Sequence, residues 1–453
     1  MMNEPSLDMP VSENGLAKDF GVRSLLRFAF PTIFMMVFSG LYTIVDTIFV
    51  ARGVNTDALS AINIVTPVIN LIVGLATMLA TGGSAIIARK MGDGRDKEAR
   101  KNFTLIIITG LVVGVLLAVS GLYFLNPLLR ALGASDLLFP YTRDYLGVLL
   151  IFAPANMLQT LFLVLFVVAG RPGLGMKIGI SAGLANAVLD YLFIIVFSMG
   201  IKGAALATGI GYSIVMIAGF LFFFRNRRGS LFFCKPGFDI QVLGESAYNG
   251  SSEMVGQLST AVTTFLFNAV MMAYAGENGV AAITIMIYSQ FLLSTFFIGF
   301  SMGIAPVISF NYGSHNHRQL KKVIKISMAL TLVVSVFIAA LALLLGDVFV
   351  GIFTPESSPV YTLVRIGFYI FPLAFLFSGI NILTSAMFTA LSNGTISAIL
   401  AVSRNLLIAL GILAFPRLLG VNGVWLAVPF AELVSLAMAI VFIVKNRKRY
   451  HYA

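Results

Sequence analysis

Apolar stretches of about 20 residues recur along nearly the whole chain, separated by short polar or Pro/Gly-containing breaks. Each is long enough to cross a hydrocarbon core of roughly 30 Å as a helix. Runs such as Phe103 to Leu125 are continuously apolar. A membrane β-barrel would instead show alternating segments of about ten residues, so helices are the remaining way to satisfy the backbone in lipid. The breaks predict helices near 25–50, 58–88, 103–125, 141–168, 176–197 and 203–224, then 248–275, 280–309, 323–345, 361–391, 396–415 and 421–444. The expected class is all-α integral membrane, with twelve transmembrane helices.

The first stretch, with Glu4, Asp8, Glu13 and Asp19 and no apolar core before Leu25, does not read as a signal peptide. It is expected to be a polar tail over 1–24.

Composition agrees with this pattern. Of 453 residues, 58% are hydrophobic and only 11% charged, far from a soluble balance. The net charge of +11 would suggest nucleic acid in a soluble protein. Here its placement has another explanation. Numbering the inter-helix segments alternately puts 23 of the 30 Lys and Arg on one side, and only Arg52, Arg130, Arg143, Lys202, Arg365 and Arg417 on the other. Arg404 alone falls inside a predicted helix. Basic residues collect on the cytoplasmic side, so a multi-pass inner-membrane protein with both termini cytoplasmic is expected, with the lipid bilayer and no nucleic acid as partner. Cys234 is the only cysteine, which excludes intrachain disulfides and Cys-based metal clusters.

Shifting the chain on itself by 221 residues aligns Ala61 with Ala282, Ile62 with Ile283, Gly82 with Gly303, Gly92 with Gly313 and Lys101 with Lys322 without a gap. Gly203 matches Gly423 at a shift of 220. Six helices per half, both halves starting on the same side, make parallel repeats related by a pseudo-twofold axis along the membrane normal. The expected organisation is an N-terminal lobe at 25–224, a cytoplasmic linker at 225–247, a C-terminal lobe at 248–444 and a basic tail at 445–453. Two such lobes with a cleft between them suit alternating-access transport.

Four of the nineteen acidic residues, Asp46, Asp190, Glu253 and Glu432, fall within predicted spans. A charge at the bilayer centre costs about 2.5–3.5 kcal/mol on insertion scales, so such residues usually face a cavity or a partner. Asp46 near the outer end of helix 1, Asp190 in the outer part of helix 5 and Thr208 on helix 6 are expected at one depth. Asn186 lies four residues before Asp190, on the same helix face. Two carboxylates, an amide and a hydroxyl suit a proton or a hard monovalent cation, Na+ being the one metal ion this set would hold. The alternative reading makes these acids helix-to-helix hydrogen-bonding groups. Glu253, near the start of helix 7, is a secondary candidate that also reads as an interfacial acid. Arg404 and Glu432 are further candidates, expected as an ion pair between helices 11 and 12. Neither Asp46 nor Asp190 has an acidic counterpart in the repeat, so coupling is expected in the first lobe.

The segments FPTIFMMVFSGLYTIVDTIFVARG, NAVLDYLFI and IKGAALATGIG, with the loops KMGDGRDKEARK and NYGSHNHRQLKK, resemble multidrug and toxic compound extrusion transporters over nearly the full length. The resemblance implies two six-helix lobes, a central cavity and export of lipophilic cations driven by inward movement of H+ or Na+, with a cation-site role for Asp46, Asn186, Asp190 and Thr208. Some members of that family have a second site using the helix 7 acid and a helix 10 aspartate. Glu253 fits the first, but 361–391 contains no acid. Secondary active multidrug efflux by a monomer, with no cofactor beyond the coupling ion, is therefore expected. The alternatives are a flippase for a lipid-linked saccharide and, in a different class, a membrane-embedded enzyme. A large anionic headgroup would call for several basic residues in the spans. An enzyme is not expected: His315, His317 and His451 are the only histidines, and no HExxH motif, Ser/His/Asp cluster or P-loop is present.

Overall fold

The computed structural model describes residues 15–452 apart from Arg228. Residues 1–14 of the expected tail, Arg228 in the linker and Ala453 therefore lie outside the described residues. The first half contains α1 (Val22–Gly53), α2 (Thr56–Gly92) and α3 (Asp96–Tyr123). In α4, Phe139–Ile151 and Ala153–Val168 meet at 54° beside Pro154. α5 (Pro172–Asp190) continues into a π-helix over Tyr191–Val196, and α6 (Ile201–Arg225) completes the half.

The second half begins with continuous helix over Ile240–Gly313. Its 74 residues would span about 110 Å, too long for one crossing. Gly276, at φ 61° and ψ −151°, holds a backbone conformation open almost only to glycine and divides the run into α7 (240–275) and α8 (277–313). Next come α9 (His317–Leu344) and α10 (Pro359–Ala390), the latter interrupted by a 3₁₀ turn at Phe371–Ala374 that contains Pro372. α11 (Gly394–Ala414) and α12 (Val421–Asn446) finish the bundle. Among the described residues there are thus twelve apolar crossings in two six-helix lobes, and an even number leaves both termini at one end. That end is called the basic end below.

Asn side chains start several of these helices by accepting from free backbone N–H groups: Asn55 from Ala58 at 2.8 Å, Asn316 from Gln319 at 3.1 Å and Asn393 from Ile396 at 3.2 Å. Asp239 caps α7 in the same way, from Gln241 and Val242. This cap starts α7 at Ile240, earlier than the expected 248. Glu253 consequently stands thirteen residues, about 20 Å, from the helix start, too deep for an interfacial acid.

The lobes meet through α1 and α2 of one and α7 and α8 of the other, and the contacts repeat the sequence duplication. A Cβ on Gly92 would meet the carbonyl of Phe310, and one on Gly313 would meet that of Arg89. These two contacts are exchanged by the 221-residue shift. Gly82 on α2 likewise lies against Ser246 on α7, while its counterpart Gly303 on α8 lies against Ala29 and Thr32 on α1. All are near the basic end, where backbone touches backbone.

Two segments expected to be simple connections are packed. In the expected polar tail, Leu16 and Phe20 are fully buried, Gly15 lies against the backbone of Gly170, the Phe20 carbonyl accepts from Gln319 Nε2 at 3.2 Å, and Asp19 pairs with Lys322 at 2.8 Å. The segment therefore straps the first lobe to α9. The strap was missed because two apolar residues four apart are too few to register as a pattern. The linker is equally attached: Phe233 stacks on Phe224 (4.5 Å between centroids) and packs on Phe103 (5.2 Å), Arg100 donates to the Ser230 carbonyl at 3.1 Å, and the Cys234 N–H donates to Thr104 at 3.2 Å.

Candidate cation site and family

Asp190 is the last residue of α5 before the π-helical turn and is completely buried. π segments are rare and occur frequently at functional sites, because the wider turn alters which side chains share a face. The outer end of α1 packs on this turn, with Gly53 against Ile194 and Ile195. The packing brings Asp46 to Asp190, so that the two carboxyl groups lie within hydrogen-bonding reach of each other. Asp190 Oδ1 and Oδ2 and Asp46 Oδ1 are buried and have no other hydrogen-bond partner. No ion pair to Lys or Arg involves either residue.

Asn186, 4% exposed, lies one turn before Asp190, and its Nδ2 has no partner. It faces a cavity of about 110 Å³ together with Thr208, Tyr42, Tyr212 and Gln159. The remaining wall includes Met35, Phe38 and Leu163. Thus Asn186 and Thr208 share a cavity, while Asp46 and Asp190 meet just outside its wall. Thr208 makes no hydrogen bond to either aspartate.

Tyr42, Tyr145 and Tyr212 all lie close enough to interact electrostatically with Asp46, and Tyr42 and Tyr145 also with Asp190. None was picked out from the sequence. Two had a usable signal: Tyr42 is four residues before Asp46 and Tyr212 four after Thr208, each pair on one helix face. Tyr145 had none, because the bend in α4 places it. Phe152, at the bend, lies against Gly209 of α6, where a Cβ would clash with its ring.

Two touching carboxylates cannot both be ionised cheaply without a counter-ion. Their repulsion at about 4 Å is roughly 4 kcal/mol at an effective dielectric of 20. One proton, or one cation, removes that cost. Among the described residues no group of three or more His, Cys, Asp or Glu could hold a metal ion. Any Na+ bound here would therefore need amide, hydroxyl or carbonyl oxygens besides the carboxylates.

The second lobe is built differently. Arg404 Nε donates to Glu432 Oε1 at 2.8 Å, and Arg404 Nη2 pairs with the same oxygen at 2.7 Å. Asn381 Nδ2 donates to Glu432 Oε2 at 2.7 Å and to the Glu432 carbonyl at 2.9 Å. The expected ion pair between α11 and α12 is present, with Asn381 of α10 as an added partner. Glu253 on α7 makes no ion pair and stands apart from these groups.

The family model described as MatE matches residues 31–192 and again 254–413. The chain belongs to the MatE family. The two MatE matches are offset by 223 residues at their starts and 221 at their ends, in step with the internal repeat. Curated relatives of this MatE chain include the "Multidrug export protein MepA" of Staphylococcus haemolyticus (strain JCSC1435), 24% identical over 435 residues and covering 94% of each chain. The protein of the same name from Staphylococcus saprophyticus is 23% identical over 437 residues, again with 94% coverage of both. Among solved structures, "Outward-facing conformation of a multidrug resistance MATE family transporter of the MOP superfamily" superimposes with a TM-score of 0.89 at 24% identity, covering 96% of this chain and 97% of that one. A MOP superfamily transporter from Pyrococcus furiosus gives a TM-score of 0.88 over 96% and 97% of the two chains, also at 24% identity. These likenesses bear out the twelve-helix, two-lobe architecture.

Proposed function

We propose that this protein is a secondary active multidrug exporter of the inner membrane that expels lipophilic cations in exchange for H+ or Na+. The observation that carries this reading is the contact between the buried Asp46 and Asp190 carboxyls, without a basic partner, beside a cavity in the first lobe. The names of the MepA relatives support multidrug export as the task.

In this reading the bodies that move are the lobes at 25–224 and 248–444, and the basic end is cytoplasmic. An ion entering from the opposite side neutralises the aspartate pair, with Asn186, Thr208 and the three tyrosines supplying polar contacts around it. Discharge of the ion to the cytoplasm restores the charge that attracts the next cation. One charge moving through 100 mV is worth about 2.3 kcal/mol, enough to accumulate a neutral compound roughly fifty-fold.

The test uses everted membrane vesicles, a fluorescent lipophilic cation, and a proton gradient, a sodium gradient or none. Gradient-driven dye movement in the parent, and its loss in Asp190→Asn at equal membrane insertion, is the expected result and identifies the ion. If neither gradient moves any of a broad panel of cations, the export reading fails and a lipid-linked cargo takes its place.

A further inference from the structure

Arg404 has more hydrogen-bonding capacity than its ion pair uses. Nε and Nη2 are engaged by Glu432 Oε1, whereas Nη1 has no partner. The Arg404 side chain is 28% exposed, while Glu432 is fully buried. That exposure is not toward lipid. Val402, Leu406 and Leu410, which are 46%, 56% and 53% exposed, form the outward stripe of α11. A residue two positions from Val402 and Leu406 lies about 200° around the helix from each. The free edge of the guanidinium therefore opens toward the interior of the bundle.

The duplication says which part of the interior. A shift of 221 relates Arg404 to Gly183, and a shift of 220 relates Glu432 to Tyr212. Gly183 and Tyr212 both line the first-lobe cavity. The second lobe thus places a half-free guanidinium where the first has cavity wall. Near the corresponding place in the first lobe stand two carboxyl groups.

We propose that the Nη1 edge of Arg404 docks an anionic group, a carboxylate or similar oxyanion, on transported compounds, so that the cargo includes zwitterionic amphiphiles as well as plain cations. The inference rests on the export reading and deepens it. Because Glu432 already neutralises the guanidinium, the edge offers directed N–H donors rather than net positive charge. That suits an anion arriving as one half of a zwitterion and disfavours a multiply charged headgroup. Asn381 holds the other Glu432 oxygen, which keeps the carboxylate from rotating to cover Nη1.

The test uses two dyes with the same ring system: a rhodamine methyl ester, which is a cation, and its free acid, which is a zwitterion at neutral pH. Transport of both is measured in proteoliposomes of the full chain. Arg404→Gln alone leaves Glu432 buried and unpaired, so the informative protein is Arg404→Gln combined with Glu432→Gln, which removes both charges. Arg404→Lys, which keeps charge without the fork, is the second variant. The double variant is expected to move the ester within about twofold of the parent and to lose roughly tenfold or more on the free acid, the scale of one charge-assisted hydrogen bond, with Arg404→Lys in between. An unchanged acid-to-ester ratio in the double variant, an equal fall in both dyes, or a parent that carries the ester and never the acid overturns the inference and leaves export standing. A parent that carries neither dye overturns the export reading itself.

Discussion

The carboxyl groups of Asp46 on α1 and Asp190 at the α-to-π junction of α5 face each other within hydrogen-bonding reach, and neither has a basic partner. Converting either to Asn removes the need for a counter-ion, because the surviving carboxylate no longer faces a like charge. Asp46→Asn and Asp190→Asn are each expected to reduce gradient-driven efflux by at least about tenfold while leaving the amount of inserted protein unchanged. Dye efflux against quantified protein in vesicles checks this. Retention of coupled efflux in both single variants would exclude the pair as the ion site.

The tyrosines around the pair should tune the ion rather than create its site. Tyr145→Phe and Tyr212→Phe remove only a hydroxyl, and a hydrogen bond is worth about 0.5–1.5 kcal/mol net. Each is expected to weaken the apparent affinity for the coupling ion by roughly two- to twelve-fold with the maximal rate little changed. The ion-concentration dependence of efflux separates those two quantities.

Twelve helices and their duplication were legible because both are written in long apolar runs and in a fixed spacing such as Gly92 to Gly313. Asp46 and Asp190 stood out for a related reason, as acids inside apolar stretches. Tyr145 did not, since tyrosine is ordinary in such helices and only the 54° bend beside Pro154 turns it toward the site. The π-turn after Asp190 leaves no trace in residue type. Asn381 was a signal not used: an amide in an apolar run, later found holding Glu432.

The glycine contacts between α2 and α8 predict a bias in conformation. Overpacking costs about 1–3 kcal/mol, and Gly92→Ala or Gly313→Ala forces a methyl against a carbonyl of the other lobe. Each should shift the population away from the state closed at the basic end by roughly five- to 150-fold. Distances between spin labels on the basic ends of α2 and α8 would lengthen. Unchanged distances in both variants would show that these ends are not clamped by their backbones.

The strap formed by the N-terminal segment makes a pH prediction. The Lys322 ammonium beside Asp19 holds its carboxyl below the ordinary value near 3.8. A depressed carboxyl contributes above its unfolded value and loses that contribution only as pH falls through the folded one. The pair therefore persists at pH 5, and a change in transport between pH 7 and 5 arises elsewhere. Asp19→Asn should loosen the strap at pH 7, read as faster proteolysis near Leu16 and Phe20, whereas acidifying the parent to pH 5 should not.

A membrane that stores energy as an ion gradient is an electrical insulator, and any protein spanning it is a potential short circuit. Long side chains meeting across a seam leave gaps that fluctuate, and a single file of water is enough to conduct protons. Where Gly92 and Gly313 meet, the seam is main chain against main chain, with no side chain to swing aside. The smallest residue in the chain is what lets this end of the bundle act as dielectric, so that the gradient is discharged only in exchange for cargo.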